Sequence, residues 1–450
     1  MFKRTIAVAM SVVGLIVGAG FSSGQEVLQY FVAFGKIGIW GAVIVAVLMS
    51  AAGMIVLQLG SYFQADEHAG VLRTIGTKTV SWILDIGIVF TLFSVGFVML
   101  AGGGSNLNQQ FGIPSWVGSA ILLVLVLAAG MLDADRVSTV IGAITPFIVV
   151  ALVGAAIWAY THTDGSLSSL EPLTQNVDTN LPNWWISALN YAGLVLMVNV
   201  AMAIVIGGSH LYPREAGLGG LVGGIIFGVL LIISTLSLFL KIKTVQGSDL
   251  PMLTLVDHIH PALGVIMSLI IYGMIFNTCL GLFYSLGRRL TARHPEKFRI
   301  VFTVVTVIGF AVSFFGFKTL LSSVYPIMGY VGFVLIALLF IAWFRGRTAM
   351  HDEGGRRQEA RELAERKLDP NVRFTSKQAR RLRHLIGDSN LDDDELRKLI
   401  RDDVTSYTKT DEAPEPEEID EPDAKDSAGE GTSAGGDTGS GSTVSSTPVK

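Results

Sequence analysis

The sequence predicts an all-α polytopic membrane protein of about ten transmembrane helices followed by a charged cytosolic tail. Two observations carry this. Half of the 450 residues are apolar and only 16% are charged, against roughly 25% in an average soluble chain. The charge is also segregated: residues 1–344 hold 28 of the 70 Asp, Glu, Lys and Arg, and the last 106 residues hold the other 42. An ordinary cytosolic enzyme does not have this distribution. The one cysteine, Cys279, excludes an intrachain disulfide framework and a cysteine-cluster metal site.

A spanning helix needs roughly 20 mostly apolar residues. Ten stretches meet or approach this: 5–34, 37–60, 82–102, 115–132, 138–160, 184–208, 217–240, 261–286, 299–317 and 319–344. Most are too long and too uniformly apolar for soluble core helices, which keep a polar face. Lys3 and Arg4 before the first run resemble the start of a signal peptide. That run continues to residue 34 and nine more follow, so the chain stays in the membrane.

Loop charge sets the expected orientation. With the N-terminus inside, the inner loops hold Lys3, Arg4, Arg73, Lys78, Arg136, Arg214, Arg288, Arg289, Arg293, Lys297 and Arg299, and the outer ones only Lys36, Lys241, Lys243 and Lys318. Eleven against four places both termini in the cytoplasm, and Arg345 and Arg347 after the last span agree. The expectation is a multi-pass plasma-membrane protein.

The chain divides into a membrane domain (1–345), a charged helical segment (346–405) and an acidic tail rich in Gly, Ser and Thr (406–450). The last cannot bury an apolar face and is expected to be disordered. In the middle segment, residues 356–368, 376–386 and 391–404 read as short helices, the second capped by Thr375 or Ser376 and the third by 388–390. The basic cluster Arg380, Arg381, Arg383 and His384 reads either as a solvated face or as a contact for anionic lipid.

The informative feature is in the first span: Gly18-Ala19-Gly20-Phe21-Ser22-Ser23-Gly24-Gln25-Glu26. Three glycines and two serines in nine residues weaken a helix at membrane depth, where freed backbone groups must face protein or a water-filled cavity. Broken helices near the midplane are the binding device of secondary transporters. Packing competes with this reading, because Gly14/Gly18 and Gly20/Gly24 are GxxxG pairs. Two motif matches fail for want of context. Gly20-Phe21-Ser22-Ser23-Gly24 fits GxSxG but lacks the strand–turn–helix of a hydrolase, and Gly18-Ala19-Gly20 follows no strand. Glu26, a carboxylate inside a span, is a functional candidate. It also completes a Ser23-x-x-Glu26 capping box, so capping and direct contact with ion or solute both stand.

These nine residues resemble the first-helix signature of the YkvI-type membrane proteins, regarded as amino-acid permeases of the amino acid–polyamine–organocation superfamily. The resemblance covers roughly residues 1–345. It implies a LeuT-like fold: two inverted five-helix repeats with the solute between the first and sixth helices. Two five-span units have opposite topology, so the ten-span count fits. The sixth span, with Tyr191, Gly193 and Asn199, should then mirror the break of the first, although residues 190–199 hold no Gly pair and no Pro. Asn190 and Asn199 have a second reading, hydrogen bonds across helices.

The resemblance also points to the eighth span for an ion site. Asn277 and Thr278 lie there, with Ser285 seven residues on rather than beside Thr278. Glu26, Asn277 and Thr278 are thus the candidate ion-coupling residues. Asp85 reads as a gate or as a water-exposed helix-end acid. Ser94, Phe93 and Phe97 read as cavity lining or as packing, and Pro146, Tyr325 and Pro326 as kinks rather than ligands.

The expected function is secondary transport of an amino acid or similar zwitterion by symport with Na⁺ or H⁺. A solute carboxylate would meet amides near Ser22–Gln25, and its amine the carbonyls of Gly18–Gly20. The candidate solute-binding residues are Gly18, Ala19, Gly20, Phe21, Ser22, Ser23, Gly24, Gln25, Glu26, Tyr191, Gly193 and Asn199. No GxxxxGK[ST], His-Glu-x-x-His or paired intramembrane Asp occurs, so neither an ATP-driven pump nor an enzyme is expected, nor any cofactor, resident metal or nucleic-acid partner. The alternative is a transporter-like nutrient sensor that signals through its tail.

Overall fold

The computed structural model describes residues 2–66, 68–131, 145–163, 165–368 and 372–408. The expectations for Arg136, for residues 138–144 of the fifth span and for the tail beyond residue 408 lie outside the described residues.

All ten expected spans have helical counterparts. The first is interrupted: α1 (Phe2–Ile16), α2 (Ala19–Ser23), α3 (Gln25–Tyr30), then a 3₁₀ turn over Val32–Phe34. Spans two to five are α4 (Lys36–Phe63), α6 (Lys78–Phe111), α7 (Ser115–Met131) and α8 (Thr145–Thr161). Spans six to nine are α10 (Trp184–Gly208), α11 (Pro213–Leu240), α14 (Pro261–Leu290) and α15 (Phe298–Ser313). The tenth lies in α16 (Phe317–Leu368). Six of these helices are each long and apolar enough to cross a membrane. The chain is a multi-pass, all-α membrane protein.

Shorter helices absent from the sequence reading join the spans: α5 (His68–Ile75), α9 (Leu167–Thr174), α12 (Ile242–Val245) and α13 (Pro251–Ile259). Pro251 opens α13 at a first-turn position that needs no backbone donor. Its nine residues are too few to register as a span.

The unit 1–355 is built from two sets of helices. α1, α4, α10 and α11 pack on one another, as do α6, α7, α14 and α15. These are spans one, two, six and seven against three, four, eight and nine, each set drawing on both halves of the chain. Small residues line the crossing of α4 and α11. A methyl on Gly53 would sit 2.8 Å from the Gly220 carbonyl oxygen, and one on Gly224 2.5 Å from Ser50 Cα. In lipid, where apolar burial gives no net drive, such close approach supplies the packing energy.

Pro326 lies within α16. Its missing N–H leaves the Ser322 carbonyl without a helical donor, and Asn180 Nδ2 supplies one at 2.8 Å. Pro146 adjoins residues 132–144, which lie outside the described residues, and so does the kink expected there.

The second unit starts at Arg356, inside α16, so residues 356–368 are not the separate helix the sequence suggested. It continues with α17 (Ser376–Gly387) and α18 (Asp393–Thr408). Thr375 and Gln378 form a reciprocal capping box at the start of α17. Leu382, Leu385, Ile386, Leu396, Ile400 and Val404 are buried. Arg361 Nε donates to Asp403 at 2.8 Å, and Arg381 donates to both Glu359 carboxylate oxygens at 2.8 Å. The two hydrogen bonds from the Arg381 guanidinium hold the Glu359 carboxyl below its ordinary range.

Candidate functional site at the broken first helix

The first span breaks twice. α1 ends at Ile16, and Gly18 is extended (φ −93°, ψ −170°). After five residues of α2, Gly24 takes a left-handed conformation (φ 79°) and α3 restarts. Only glycine adopts that conformation freely. A side chain there would also press on α13: a methyl on Gly24 would sit 3.0 Å from the backbone N of Met252.

Both serines bond to the backbone of the break, and Ser23 satisfies two groups freed by it. Ser22 Oγ donates to the Gly18 carbonyl at 2.8 Å, and Ser23 Oγ donates to the Gly20 carbonyl at 2.7 Å. Ser23 Oγ also accepts from the Gln25 N–H at 3.1 Å. The Ser22 and Gly24 amides bond to Gly18 and Phe21 carbonyls at 3.1 Å. Three of the amides expected to receive a solute carboxylate therefore already have internal acceptors.

The Ser23–Glu26 capping box does not form. Gly24 is the N-cap of α3, and no side chain caps it. The intervening left-handed glycine displaces Ser23 from the cap position. Glu26 folds back toward Gly20 instead. A methyl at Gly20 would overlap the Glu26 carboxylate, 2.7 Å from its Cδ. Between residues 17 and 32, only Gly18 and Gly20 are partly exposed; every other residue is buried. The two glycines thus open the backbone of a deep, otherwise enclosed segment beside a carboxylate.

Tyr191 of α10 reaches the same point, its hydroxyl donating to Glu26 Oε2 at 3.3 Å. Its ring packs edge-on against Phe31, with centroids 5.1 Å apart, and against Tyr30 at 5.2 Å. Tyr30 donates to Asn190 Oδ1 at 3.2 Å, and Asn190 Nδ2 donates to the Pro326 carbonyl at 2.8 Å. Asn190 therefore bridges three spans. Gln25 is fully buried, and neither atom of its amide has a partner.

The expected break in the sixth span is absent: α10 is continuous from Trp184 to Gly208. Gly193 meets α16, where its missing side chain admits the Gly329 and Gly332 backbones. Asn199 Nδ2 returns to the Val195 carbonyl one turn earlier, at 2.8 Å. The Asn199 side-chain N–H is satisfied without unwinding, and Gly193, with no Pro or second Gly near it, leaves the helical bonds intact. Of the sixth-span candidates, the structure brings Tyr191 to the break, while Gly193 lies in a helix crossing.

Thr278 faces the break, with Oγ1 3.9 Å from the methyl position of Gly18. Asn277 is half-buried on the same helix, turned from Thr278 by about 100°, and Ser285 is exposed. Met274 Sδ lies 3.4 Å from Ser22 Oγ. On α6, Ser94 is buried with an unpartnered hydroxyl, while Phe93 and Phe97 pack edge to face at 5.3 Å. Asp85 is not a free helix-end acid: Arg289 Nη2 lies 2.8 Å from its Oδ1 and Arg73 Nη2 3.7 Å from its Oδ2.

Sequence reasoning missed Tyr30 and the α13 cover over Gly24, and it read Tyr325, which lies within electrostatic reach of Glu26, as the mark of a kink. The signal for α13 was present in Pro251 followed by an amphipathic nine-residue run.

No family model matches this chain. It is 25% identical over 329 residues to the uncharacterized membrane protein YkvI of Bacillus subtilis (strain 168), covering 73% of this chain and 92% of that protein. It is also 25% identical over 331 residues to the uncharacterized protein YyaD of the same organism, covering 73% and 94%. The likeness first read from the nine residues of the break thus extends over 329–331 residues. Among solved structures, the inward-facing conformation of Mhp1 superposes with a TM-score of 0.51 at 12% identity, covering 93% of this chain and 95% of that one. MhsT in complex with L-phenylalanine also gives 0.51, at 14% identity, covering 75% and 95%. The fold is LeuT-like, with inverted five-helix repeats, as the resemblance implied.

Proposed function

We propose that this LeuT-like membrane protein is a secondary active transporter of an amino acid or similar small zwitterion, energised by Na⁺ or H⁺. Both termini would face the cytoplasm from the plasma membrane. The observation that carries this reading is the pair of partly exposed glycines, Gly18 and Gly20, in a deep buried segment beside Glu26. Irregular backbone persists at that depth only where it is buried in protein or lines a cavity, and the partial exposure of these two glycines supports the cavity. The solute ammonium would meet Glu26 and the glycine carbonyls. Gln25, with its unpartnered amide, is the available donor for the carboxylate. MhsT, of the same fold, is seen with L-phenylalanine, which supports an amino-acid-sized solute. Uptake of labelled solutes into proteoliposomes under imposed Na⁺ and H⁺ gradients tests the reading.

A nutrient sensor is the second reading, favoured by the compact unit that begins at Arg356. Solute binding without accumulation under any gradient would establish it over transport.

A further inference from the structure

We infer that the Glu26 carboxylate is occupied in turn by a proton and by the ammonium group of the cargo, so that each solute crosses in exchange for a proton. This rests on the transport reading above and assigns its coupling ion and sense.

Glu26 is the only Asp, Glu, Lys or Arg between residues 5 and 34, and it is 8% exposed. Among the described residues, its carboxylate has one hydrogen bond, from Tyr191, and no ion pair. The titratable groups within its electrostatic reach are phenols: Tyr30 on its own segment, Tyr191 on α10 and Tyr325 on α16. Charged groups on the other packed elements are engaged elsewhere or exposed, as Arg214 of α11 and Arg288 of α14 are. On α13, Asp257 accepts from Gln110 at 3.1 Å and His258 packs against Trp158. On α14, Arg289 pairs with Asp85, and on α11, Glu215 lies 3.9 Å from Arg4.

A bare carboxylate is costly to carry through a membrane interior without a cation. The carrier therefore reorients with Glu26 neutral, either as the acid or paired with a cation. The Tyr191 hydroxyl satisfies both forms, since it donates to a carboxylate and accepts from a carboxylic acid. As the ammonium enters, the Glu26 acid releases its proton to water on that side and the carboxylate pairs with the ammonium. On the other side the ammonium leaves and a proton from that water returns. One proton moves against each cargo, and neither occupant can share the carboxylate with the other.

The test uses the full chain in proteoliposomes, with a panel of the twenty amino acids and their decarboxylated amines, against protein-free liposomes. An acidic lumen should accelerate uptake of at least one ammonium-bearing solute by tenfold or more, with the lumen becoming less acid as solute enters. Glu26→Gln should abolish that acceleration. Independently, infrared spectra of the solute-free protein at neutral pH should contain a carboxylic-acid band that Glu26→Gln removes and added solute depletes. Uptake driven by an acidic exterior or by Na⁺ alone would overturn the exchange while leaving transport standing. So would a solute-free protein lacking the Glu26 acid band. If no solute exceeds protein-free liposomes under any gradient, the transport reading itself fails and the exchange falls with it.

Discussion

Tyr191 donates a 3.3 Å hydrogen bond to Glu26 across 165 residues of chain, joining the restarted half of the first span to an unbroken sixth. A continuous helix can hold a donor more rigidly than a loop, because its backbone bonds fix the phenol's base. Tyr191→Phe keeps the ring packing and removes only the hydroxyl. One such bond to a charged acceptor is worth about 1.5–3 kcal/mol, and a 3.3 Å bond lies at the low end. Solute affinity should fall roughly tenfold, with thermal unfolding of the purified protein shifting by only a few degrees. An unchanged affinity would show that the hydroxyl has no part in binding.

Gly20→Ala tests the approach of Glu26 to the backbone. The added methyl overlaps the far end of a flexible side chain, so Glu26 can swing away at small cost to stability, about 1 kcal/mol or less. The carboxylate would then leave the Tyr191 hydroxyl. Solute binding should drop at least tenfold in protein that inserts and elutes normally. Wild-type binding by Gly20→Ala would place the carboxylate elsewhere during function.

Gly193→Val is the opposite case. Its methyls would meet the Gly329 and Gly332 backbones, which cannot rotate aside. Overpacking of this kind costs about 1–3 kcal/mol and often more against main chain. The variant should unfold at distinctly lower temperature or fail to give monodisperse protein. Normal stability with lost binding would instead make Gly193 a site residue.

Orientation is open to direct measurement, since the native Cys279 is fully buried. Cysteines introduced at Ser168 and Gln109 should react with an impermeant maleimide added to intact cells, and one at Ala292 only after permeabilisation. The reverse pattern would turn the membrane domain over.

The second unit carries a pH signature. Arg381 depresses the Glu359 carboxyl, so the pair contributes stability above the unfolded carboxylate value of about 4.3. That contribution is lost as pH falls through the lower folded value. The pair is half exposed, with side chains 52% and 44% accessible, so solvent screening keeps the effect small. Hydrogen exchange of residues 376–387 in the full chain, corrected for intrinsic rates, should be flat from pH 7 to about 5 and lose protection below about 4. Arg381→Gln should start less protected and show a shallower loss.

Much of this protein was legible in its sequence because the bilayer reduces the choices. Backbone groups must be satisfied within the span, so uniformly apolar runs identify helices, and all ten expected spans have counterparts in the structure. The clustered Gly and Ser of residues 18–24 marked the break for the same reason: they are the residues that lower the cost of leaving the helix and repair its loose ends. What the one-dimensional pattern could not decide was where side chains turn once the helix is broken. Ser23-x-x-Glu26 has the spacing of a cap, but Gly24 takes a left-handed turn between them and sends Glu26 toward Gly20 and Tyr191. Gly193 looked like a second weak point, and only the crossing with Gly329 and Gly332 shows that its small size serves packing. Local propensity determined where the chain can break, and contacts between helices far apart in sequence decided which groups meet there.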